Sequence, residues 1–301
     1  MSGRCALSWV VVWMLAPLGC GGGPPEFGNA GQPIINGTLA PTLVSLTAGE
    51  QLAIGYLSQG NGDPFCTATL IANDVVITAE HCVKDRDLAG LRFGLGSAAA
   101  PRARFALRRA ALGGWERDTA LVQLSQNVVA AIPEVRPLTL QRMVLPAWLV
   151  GASAEASGYH MISGQEPRRR FGVLGVTSLL ESAIVANGFG ARGVCHGDSG
   201  GPLMAELSTG RVTLIGITLG GNQSCRDESY FTRVDAMATW LDGELRTFAQ
   251  SPSPSGGSGS SGGSGGGRTT PSCADADSNG MWPIAGVLFF VAPPRRRRRR
   301  R

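Results

Sequence analysis

One glycine-rich run, Cys195-His196-Gly197-Asp198-Ser199-Gly200-Gly201-Pro202, constrains this chain more than any other segment. Glycines on both sides of Ser199 allow backbone angles that a Cβ atom would forbid, and they let the chain approach a bound molecule closely. A serine nucleophile needs such an exposed, sharply turned backbone, with free N–H groups nearby to hold an oxyanion. Because an ordinary turn can have the same composition, the interpretation depends on the rest of the chain.

A serine of normal acidity needs a general base, usually histidine, and a carboxylate that orients it. The chain has three histidines, His81, His160 and His196. His81 stands near the end of the apolar run VVITAEHC, and Asp118 directly precedes the apolar run TALVQL. Either residue alone would be typical of a structural position at a strand end. Together with Ser199, in the order His, Asp, Ser, they predict nucleophilic catalysis.

The neighbours of these three residues resemble a known family. The segments read TAEHC around His81, DTALV from Asp118 and GDSGGP around Ser199. They resemble the chymotrypsin/trypsin-like serine proteases, whose motifs read TAAHC, DIALL and GDSGGP. The resemblance covers residues 34–249 and implies an all-β fold of two six-stranded antiparallel β-barrels with a C-terminal helix. It also implies a serine-type endopeptidase that acts on protein or peptide substrates without a metal or other cofactor.

The resemblance assigns roles residue by residue. Ser199 would attack the scissile carbonyl, His81 would take its proton, and Asp118 would hold the imidazole. The backbone N–H groups of Gly197 and Ser199 would form the oxyanion hole. Glu80 departs from the family's alanine: its carboxylate is harmless if it points outward, but would perturb the site by like-charge repulsion if it faced Asp118.

An activation site is also implied. The segment IINGT, which begins at Ile34, resembles the family's IVGGT. A cut before Ile34 would free an α-amino group that pairs with Asp198, since a buried carboxylate needs a partner. Pro33 stands where trypsin-activated zymogens have arginine or lysine. Another activating protease, a different cut, or activity without a cut therefore all remain open.

By the same resemblance, six residues form or border the pocket for the substrate side chain that precedes the scissile bond: Gly193, Val194, His196, Thr218, Gly220 and Ser229. Trypsins have aspartate where this chain has Gly193, so the sequence favours an uncharged substrate side chain over arginine or lysine. Asp227 and Glu228 are close enough in the sequence that a displaced acidic group remains open.

The sequence has seven cysteines: Cys5, Cys20, Cys66, Cys82, Cys195, Cys225 and Cys273. The resemblance implies the pairs Cys66–Cys82 and Cys195–Cys225. A metal site is the competing interpretation, but no close Cys-x-x-Cys or His/Cys spacing supports it. Disulfides would place the chain in an oxidising compartment.

The N-terminal segment indicates export. Residues 1–19 have a basic start and a short apolar stretch, followed by small residues, which is typical of a signal peptide. Cys20 resembles the lipid-bearing cysteine of bacterial lipoproteins, so a lipid-anchored and a freely secreted protein both remain open. Residues 20–33 would form a propeptide or tether.

The C-terminal segment, residues 250–301, combines a linker-like composition with a short apolar stretch and a terminal run of arginines. Residues 250–272 are rich in Ser, Gly and Pro and predict a flexible linker. Cys273, a short apolar stretch at residues 281–292 and seven arginines at 295–301 follow. This tail, residues 273–301, resembles the sorting signals of myxobacterial surface proteins and implies retention at a membrane on the outer cell surface.

Charge argues against nucleic acid as a partner. Residues 295–301 hold seven of the 27 Lys and Arg residues, so the rest of the chain has 20 basic residues against 22 acidic ones. The formal net charge of +5 therefore originates in the tail. An arginine-rich arm could bind nucleic acid or heparin, but the body of the chain is not basic.

Local patterns predict several elements. Strands are expected at residues 52–58, 67–71, 75–78, 121–124 and 212–219, and a helix at 235–248 with Asp235 as its N-cap.

The alternative to an active endopeptidase is a catalytically silent homologue that serves as a cell-surface binding module.

Overall fold

The computed structural model describes residue 34 and residues 36–159, 167–207 and 210–251. The predicted signal peptide, propeptide and C-terminal tail, the predicted linker from residue 252 onward, and Cys20, Cys273 and His160 lie outside the described residues.

Six short strands of the N-terminal half close into an antiparallel barrel. They are β1 (Ile54–Gln59), β2 (Pro64–Ala72), β3 (Val75–Ala79), β4 (Leu91–Gly96), β5 (Pro101–Leu112) and β6 (Thr119–Leu124). Their order is β1-β2-β3-β6-β5-β4, and pairing of β1 with β4 completes the ring. Apolar side chains from all six strands fill the interior, with Leu57, Phe93 and Val122 fully buried.

The second half repeats this architecture. Its strands are β7 (Ser153–Gly158), β8 (Arg170–Leu179), β9 (Ala183–Asn187), β10 (Pro202–Glu206), β11 (Val212–Gly221) and β12 (Glu228–Arg233). They run in the order β10-β11-β12-β9-β8-β7, and β10 pairs with β7. The expected fold of two six-stranded antiparallel barrels with a C-terminal helix is confirmed.

Helices are few in the described residues. They are α1 (Ala48–Ala53), α2 (Val128–Ala131) and α3 (Ala238–Gln250), with 3-10 turns at Glu80–Cys82, Leu88–Gly90, Ala147–Leu149 and Asp235–Met237. Helix α3 packs Leu241 and Phe248 into a cluster shared by both barrels, which includes Ile77 of β3 and Ile217 of β11. None of the helices in this part of the chain has the length and apolar character needed to cross a bilayer.

The predicted strands and the predicted helix are all present with shifted boundaries, and two of the shifts have a visible cause. Residues 52 and 53 belong to α1 and not to a strand, because Thr47 starts a helix through a capping box: its hydroxyl accepts the Glu50 N–H, and the Glu50 carboxylate accepts the Thr47 N–H. Asp235 does not cap α3, which begins at Ala238. Its carboxylate instead accepts hydrogen bonds from Arg233 and from the Leu145 N–H.

Candidate active site

Strand pairing explains how His81 and Asp118 come together. Strands β3 and β6 are antiparallel, and Ala79 at the end of β3 lies opposite Thr119 at the start of β6. His81, in the 3-10 turn after β3, and Asp118, directly before β6, therefore meet at one edge of the first barrel. The His81 Nδ1 atom lies 2.6 Å from Asp118 Oδ2, and the His81 backbone N–H donates to Asp118 Oδ1 over 2.9 Å.

This pairing selects a tautomer. A carboxylate accepts hydrogen bonds, so the neutral imidazole carries its hydrogen on Nδ1 and keeps the Nε2 lone pair available. The His81 side chain is 47% exposed. The ring can therefore accept a proton from a group in the adjacent cleft.

The Ser199 loop is fixed to the first barrel beside this pair. The Thr67 N–H of β2 donates to the Ser199 carbonyl over 2.8 Å, and that oxygen lies 3.8 Å from Cys82 Sγ. Gly200 has φ of +81°, and a Cβ atom there would lie 2.2 Å from Thr78 Oγ1. Glycine at this position therefore lets the loop lie against the end of β3, and the backbone of Ser199 comes next to the segment that carries His81.

Two backbone donors of this loop remain available. Gly197 has φ of +93°, and its carbonyl accepts a hydrogen bond from Thr67 Oγ1 over 2.9 Å. Within the described part of the chain, neither the Gly197 N–H nor the Ser199 N–H has a hydrogen-bond acceptor. Uncommitted donors on one turn can hold a developing negative charge.

Asp198 points away from the cleft into the interior. The residue is fully buried, and its Oδ2 atom accepts the Cys195 N–H over 2.9 Å. The Ile34 nitrogen also lies 3.2 Å from the same oxygen. Gly158 allows this position for the carboxylate, because a Cβ atom there would lie 2.1 Å from Asp198 Oδ1.

A cavity of about 240 Å³ opens beside Ser199. Three of the predicted pocket residues line it, Val194, His196 and Gly220, together with Leu219 and the two cysteines 195 and 225. No acidic side chain is present among the described residues of its lining. Asp227 instead accepts hydrogen bonds from Asn222 and Ser224, and Glu228 accepts one from Tyr230.

The other three predicted pocket residues do not line this cavity. Ser229 is buried and accepts the Val194 N–H over 3.2 Å, so it supports the lining from behind. Thr218 binds Gly201 through both its N–H and its hydroxyl. Gly193 packs against the Cys225 backbone, where a Cβ atom would lie 2.6 Å from the carbonyl oxygen.

Both disulfides implied by the resemblance are present. They join Cys66 to Cys82 and Cys195 to Cys225, across sequence separations of 16 and 30 residues. Cys66, Cys82 and His81 have potential ligand atoms within 4.8 Å of one another. A disulfide has no thiolate to offer, so these sulfur atoms cannot act as thiolate metal ligands.

Three supporting residues were missed by the sequence analysis. Thr67 donates to the Gly197 carbonyl and accepts the Tyr159 N–H, so one hydroxyl links the Ser199 loop to β2. Gly114 and Lys84 both contact Glu80. The position of Thr67 directly after Cys66 was the only signal for it, and neither Lys84 nor Gly114 belongs to a motif.

Comparison with known proteins identifies the family. The family model described as Trypsin matches residues 44–241, which is more than half of the chain. The chain belongs to the trypsin family. This membership makes it a serine-type peptidase, and the two disulfides suit an extracellular protein of this family.

Similar proteins include a chymotrypsin-like elastase, a chymotrypsin and an activating factor. Chymotrypsin-like elastase family member 1 of Canis lupus familiaris is 28% identical over 228 residues, which cover 65% of this chain and 87% of that protein. Chymotrypsin-C of Bos taurus is 26% identical over 234 residues, with coverage of 65% and 84%. Phenoloxidase-activating factor 1 of Holotrichia diomphalia is 26% identical over 241 residues, which cover 64% of this chain and 65% of that protein, slightly less than two thirds.

Proposed function

We propose that this chain is an exported serine endopeptidase that hydrolyses peptide bonds through Ser199, His81 and Asp118. The observation that carries the proposal is the 2.6 Å contact between His81 Nδ1 and Asp118 Oδ2, at the barrel edge against which the Ser199 loop is fixed. A general base oriented by a carboxylate beside a serine in a glycine-rich turn is the arrangement that serine nucleophiles require.

In the first half-reaction the Ser199 hydroxyl attacks the scissile carbonyl carbon while His81 Nε2 takes its proton. Asp118 stabilises the imidazolium that forms. His81 then gives the proton to the leaving amine, the C–N bond breaks, and an ester to Ser199 remains. In the second half-reaction water attacks this ester by the same route, which releases the acid and restores the Ser199 hydroxyl.

The tetrahedral intermediates of both steps carry a negative oxygen. The N–H groups of Gly197 and Ser199 are the proposed donors, because both lack an acceptor among the described residues. One such donor typically contributes about 3 kcal/mol of transition-state stabilisation.

We infer a preference for an uncharged side chain directly before the scissile bond. The cavity of about 240 Å³ beside Ser199 is lined by Val194, Leu219 and Gly220, without an acidic group among its described residues. Burying an unpaired charge there would be costly. Peptides with leucine or an aromatic residue at this position are therefore expected to react faster than those with arginine.

Activation is proposed to follow a cut between Pro33 and Ile34. The new α-amino group would lie within hydrogen-bond distance of Asp198, since the Ile34 nitrogen is already 3.2 Å from its carboxylate. Because proline precedes this bond, the enzyme that cuts it must accept proline there. An activating protease other than a trypsin is therefore the expected partner.

Export and attachment are proposed from the two ends of the sequence. Residues 1–19 would direct secretion, with Cys20 as the candidate for lipidation, and the tail at 273–301 would retain the enzyme at the outer surface. A cut before Ile34 would separate Cys20 from the catalytic domain, so the active form is expected to be held by its C-terminal side. Deleting residues 273–301 should release active enzyme into the medium.

A fluorophosphonate probe tests the catalytic proposal. The chain that begins at Ile34 should gain one probe mass on Ser199, and the Ser199→Ala variant should gain none. Peptide mapping by mass spectrometry locates the adduct, and intact mass verifies the N-terminus. If the wild-type chain that begins at Ile34 is not labelled, the endopeptidase proposal is wrong and the silent binding module is favoured.

A further inference from the structure

Glu80, the residue directly before His81, has a buried carboxylate with two partners. The residue is 3% exposed. Its Oε2 atom accepts the Gly114 N–H over 2.6 Å, and its Oε1 atom lies 3.3 Å from Lys84 Nζ. The side chain therefore does not point outward, and Lys84, the only lysine of the sequence, balances its charge.

Gly114 belongs to the loop that delivers Asp118. The Gly114 carbonyl accepts the Arg117 N–H over 3.0 Å and the Asp118 N–H over 2.9 Å, so residues 114–118 form a closed turn. Asp118 itself has φ of +38°, a left-handed conformation that is unfavourable for a residue with a Cβ atom. Such a conformation persists only where surrounding contacts impose it.

Glu80 forms hydrogen bonds with both ends of this loop. Its backbone N–H donates to the Asp118 carbonyl over 3.0 Å, while its carboxylate holds the Gly114 N–H at the other end of the turn. His81 follows directly and binds both carboxylate oxygens of Asp118. One dipeptide therefore fixes the start, the end and the functional group of the loop.

We infer that Glu80 is a positioning residue for catalysis. It holds the 114–118 turn so that the Asp118 carboxylate lies within hydrogen-bond distance of His81, and Lys84 is the counter-ion of Glu80. This inference rests on the proposed function. Glu80 acts through Asp118 and does not touch the substrate. The hydrogen bond to Gly114, and not the negative charge alone, is the contact that positions the turn.

Substitutions of Glu80 separate shape from charge. In Glu80→Gln the side chain keeps its length and an acceptor for the Gly114 N–H, whereas Glu80→Asp keeps the charge but is one methylene too short. Glu80→Ala removes both the acceptor for the Gly114 N–H and the negative charge. Glu155→Ala is the matched control, because Glu155, on β7 of the second barrel, is also a buried carboxylate that accepts backbone N–H groups, those of Thr42, Leu43 and Val44 in the segment before α1.

Three measurements on chains that begin at Ile34 test the inference: the second-order rate of fluorophosphonate labelling, the low-field proton resonance of the His81 Nδ1–H, and the Tm. Glu80→Ala should label about 10–100-fold more slowly, because small misplacements of catalytic groups have effects of this size. Its low-field resonance should shift or broaden. Glu80→Gln should resemble the wild type in both respects, and Glu155→Ala should lose Tm without slower labelling.

Two results would overturn the inference. One is a wild-type labelling rate and a wild-type resonance in Glu80→Ala. The other is slower labelling in Glu155→Ala, in the same proportion to its loss of Tm as in Glu80→Ala, because the effect would then follow from general destabilisation. If Glu80→Ala fails to fold, Glu80→Asp and Glu80→Gln provide the test. Slow labelling of Glu80→Asp with normal labelling of Glu80→Gln supports the positioning role. Normal labelling of Glu80→Asp with slow labelling of Glu80→Gln overturns it. Failure of the proposed function has a different signature, since the wild type itself would then not be labelled, while the resonance still reports the effect of Glu80 on the His81–Asp118 contact.

Discussion

The backbone nitrogen of Ile34 lies 3.2 Å from the Asp198 carboxylate, although 164 residues separate them in the sequence. Both residues are fully buried. The same carboxylate oxygen also accepts the Cys195 N–H at the start of the Ser199 loop. The contact therefore couples the N-terminus of the proposed mature chain to the loop that carries Ser199 and the two N–H groups that lack an acceptor among the described residues.

Asp198→Asn should disable the mature chain. Asparagine can still accept the Cys195 N–H, but it cannot neutralise a buried α-amino group at Ile34, and breaking a buried pair in this way typically costs about 3–5 kcal/mol. We expect labelling by a fluorophosphonate to slow by about 100-fold or more. Asp227→Asn, which changes an aspartate outside the cleft lining, should label normally. Equal rates in the two variants would contradict the coupling.

Asp118→Asn should leave the fold intact and reduce kcat by about 10⁴-fold, as expected for loss of the orienting carboxylate in a triad. The asparagine amide would donate to His81 Nδ1, so the ring hydrogen would move to Nε2, where the proposed base must instead accept a proton. Steady-state hydrolysis of a peptide ester measures the effect, with Ser199→Ala as the baseline. A reduction smaller than tenfold would mean that Asp118 does not orient the base.

The two-barrel fold followed from the family resemblance, which three short motifs carry, and the neighbourhood of the site followed from the order of those motifs. His81 and Asp118 flank strands that were recognisable from apolar runs at 75–78 and 121–124, and the register of β3 against β6 brings them together. The disulfide pairs followed from the family resemblance. These predictions needed only short motifs, their order along the chain and the family that they resemble.

What the sequence could not predict depends on side-chain partners that are distant or unpatterned. Glu80 was expected either to point outward or to face Asp118, but its partners are Gly114 and Lys84, and only the closed turn at 114–118 makes Gly114 available. Asp235 has the residue type and spacing of an N-cap. Its carboxylate nevertheless binds Arg233, at the end of β12, and the Leu145 N–H, and neither partner could be recognised from a local pattern.

Gly158→Ala and Gly243→Ala should have opposite effects. A Cβ atom at 158 would lie 2.1 Å from Asp198 Oδ1, so the variant should lose about 1–3 kcal/mol of unfolding free energy and label more slowly. Nothing lies within 4 Å of a Cβ atom at 243, in the exposed middle of α3, and alanine there should add about 0.5–1 kcal/mol with normal labelling. Urea unfolding measures both. Loss of stability in Gly243→Ala would show that α3 needs glycine for another reason.

Asp235 should contribute stability that depends on pH. Burial alone would raise the pKa of its carboxyl group, but the Arg233 hydrogen bond and ion pair, together with the Leu145 and Ala236 N–H groups, hold the pKa below its usual value. The Arg233 Nη2 atom lies 2.6 Å from an Asp235 side chain that is only 1% exposed. A lowered pKa in the folded state means that the stabilisation is complete above the unfolded-state pKa of about 4 and disappears as pH falls through the lower folded-state value.

Asp235→Asn should therefore cost about 1–3 kcal/mol of unfolding free energy at pH 7, the usual contribution of hydrogen bonds to a charged group. The difference between wild type and variant should begin to shrink below about pH 4, where Asp235 becomes protonated in the unfolded state, and should disappear below the lower folded-state pKa, where both folded proteins have a neutral side chain at this position. Urea unfolding at a series of pH values from 7 to acid measures the difference directly. A difference that stays constant down to the lowest pH would assign the loss to altered packing around Val234 and Met237, and not to the ion pair.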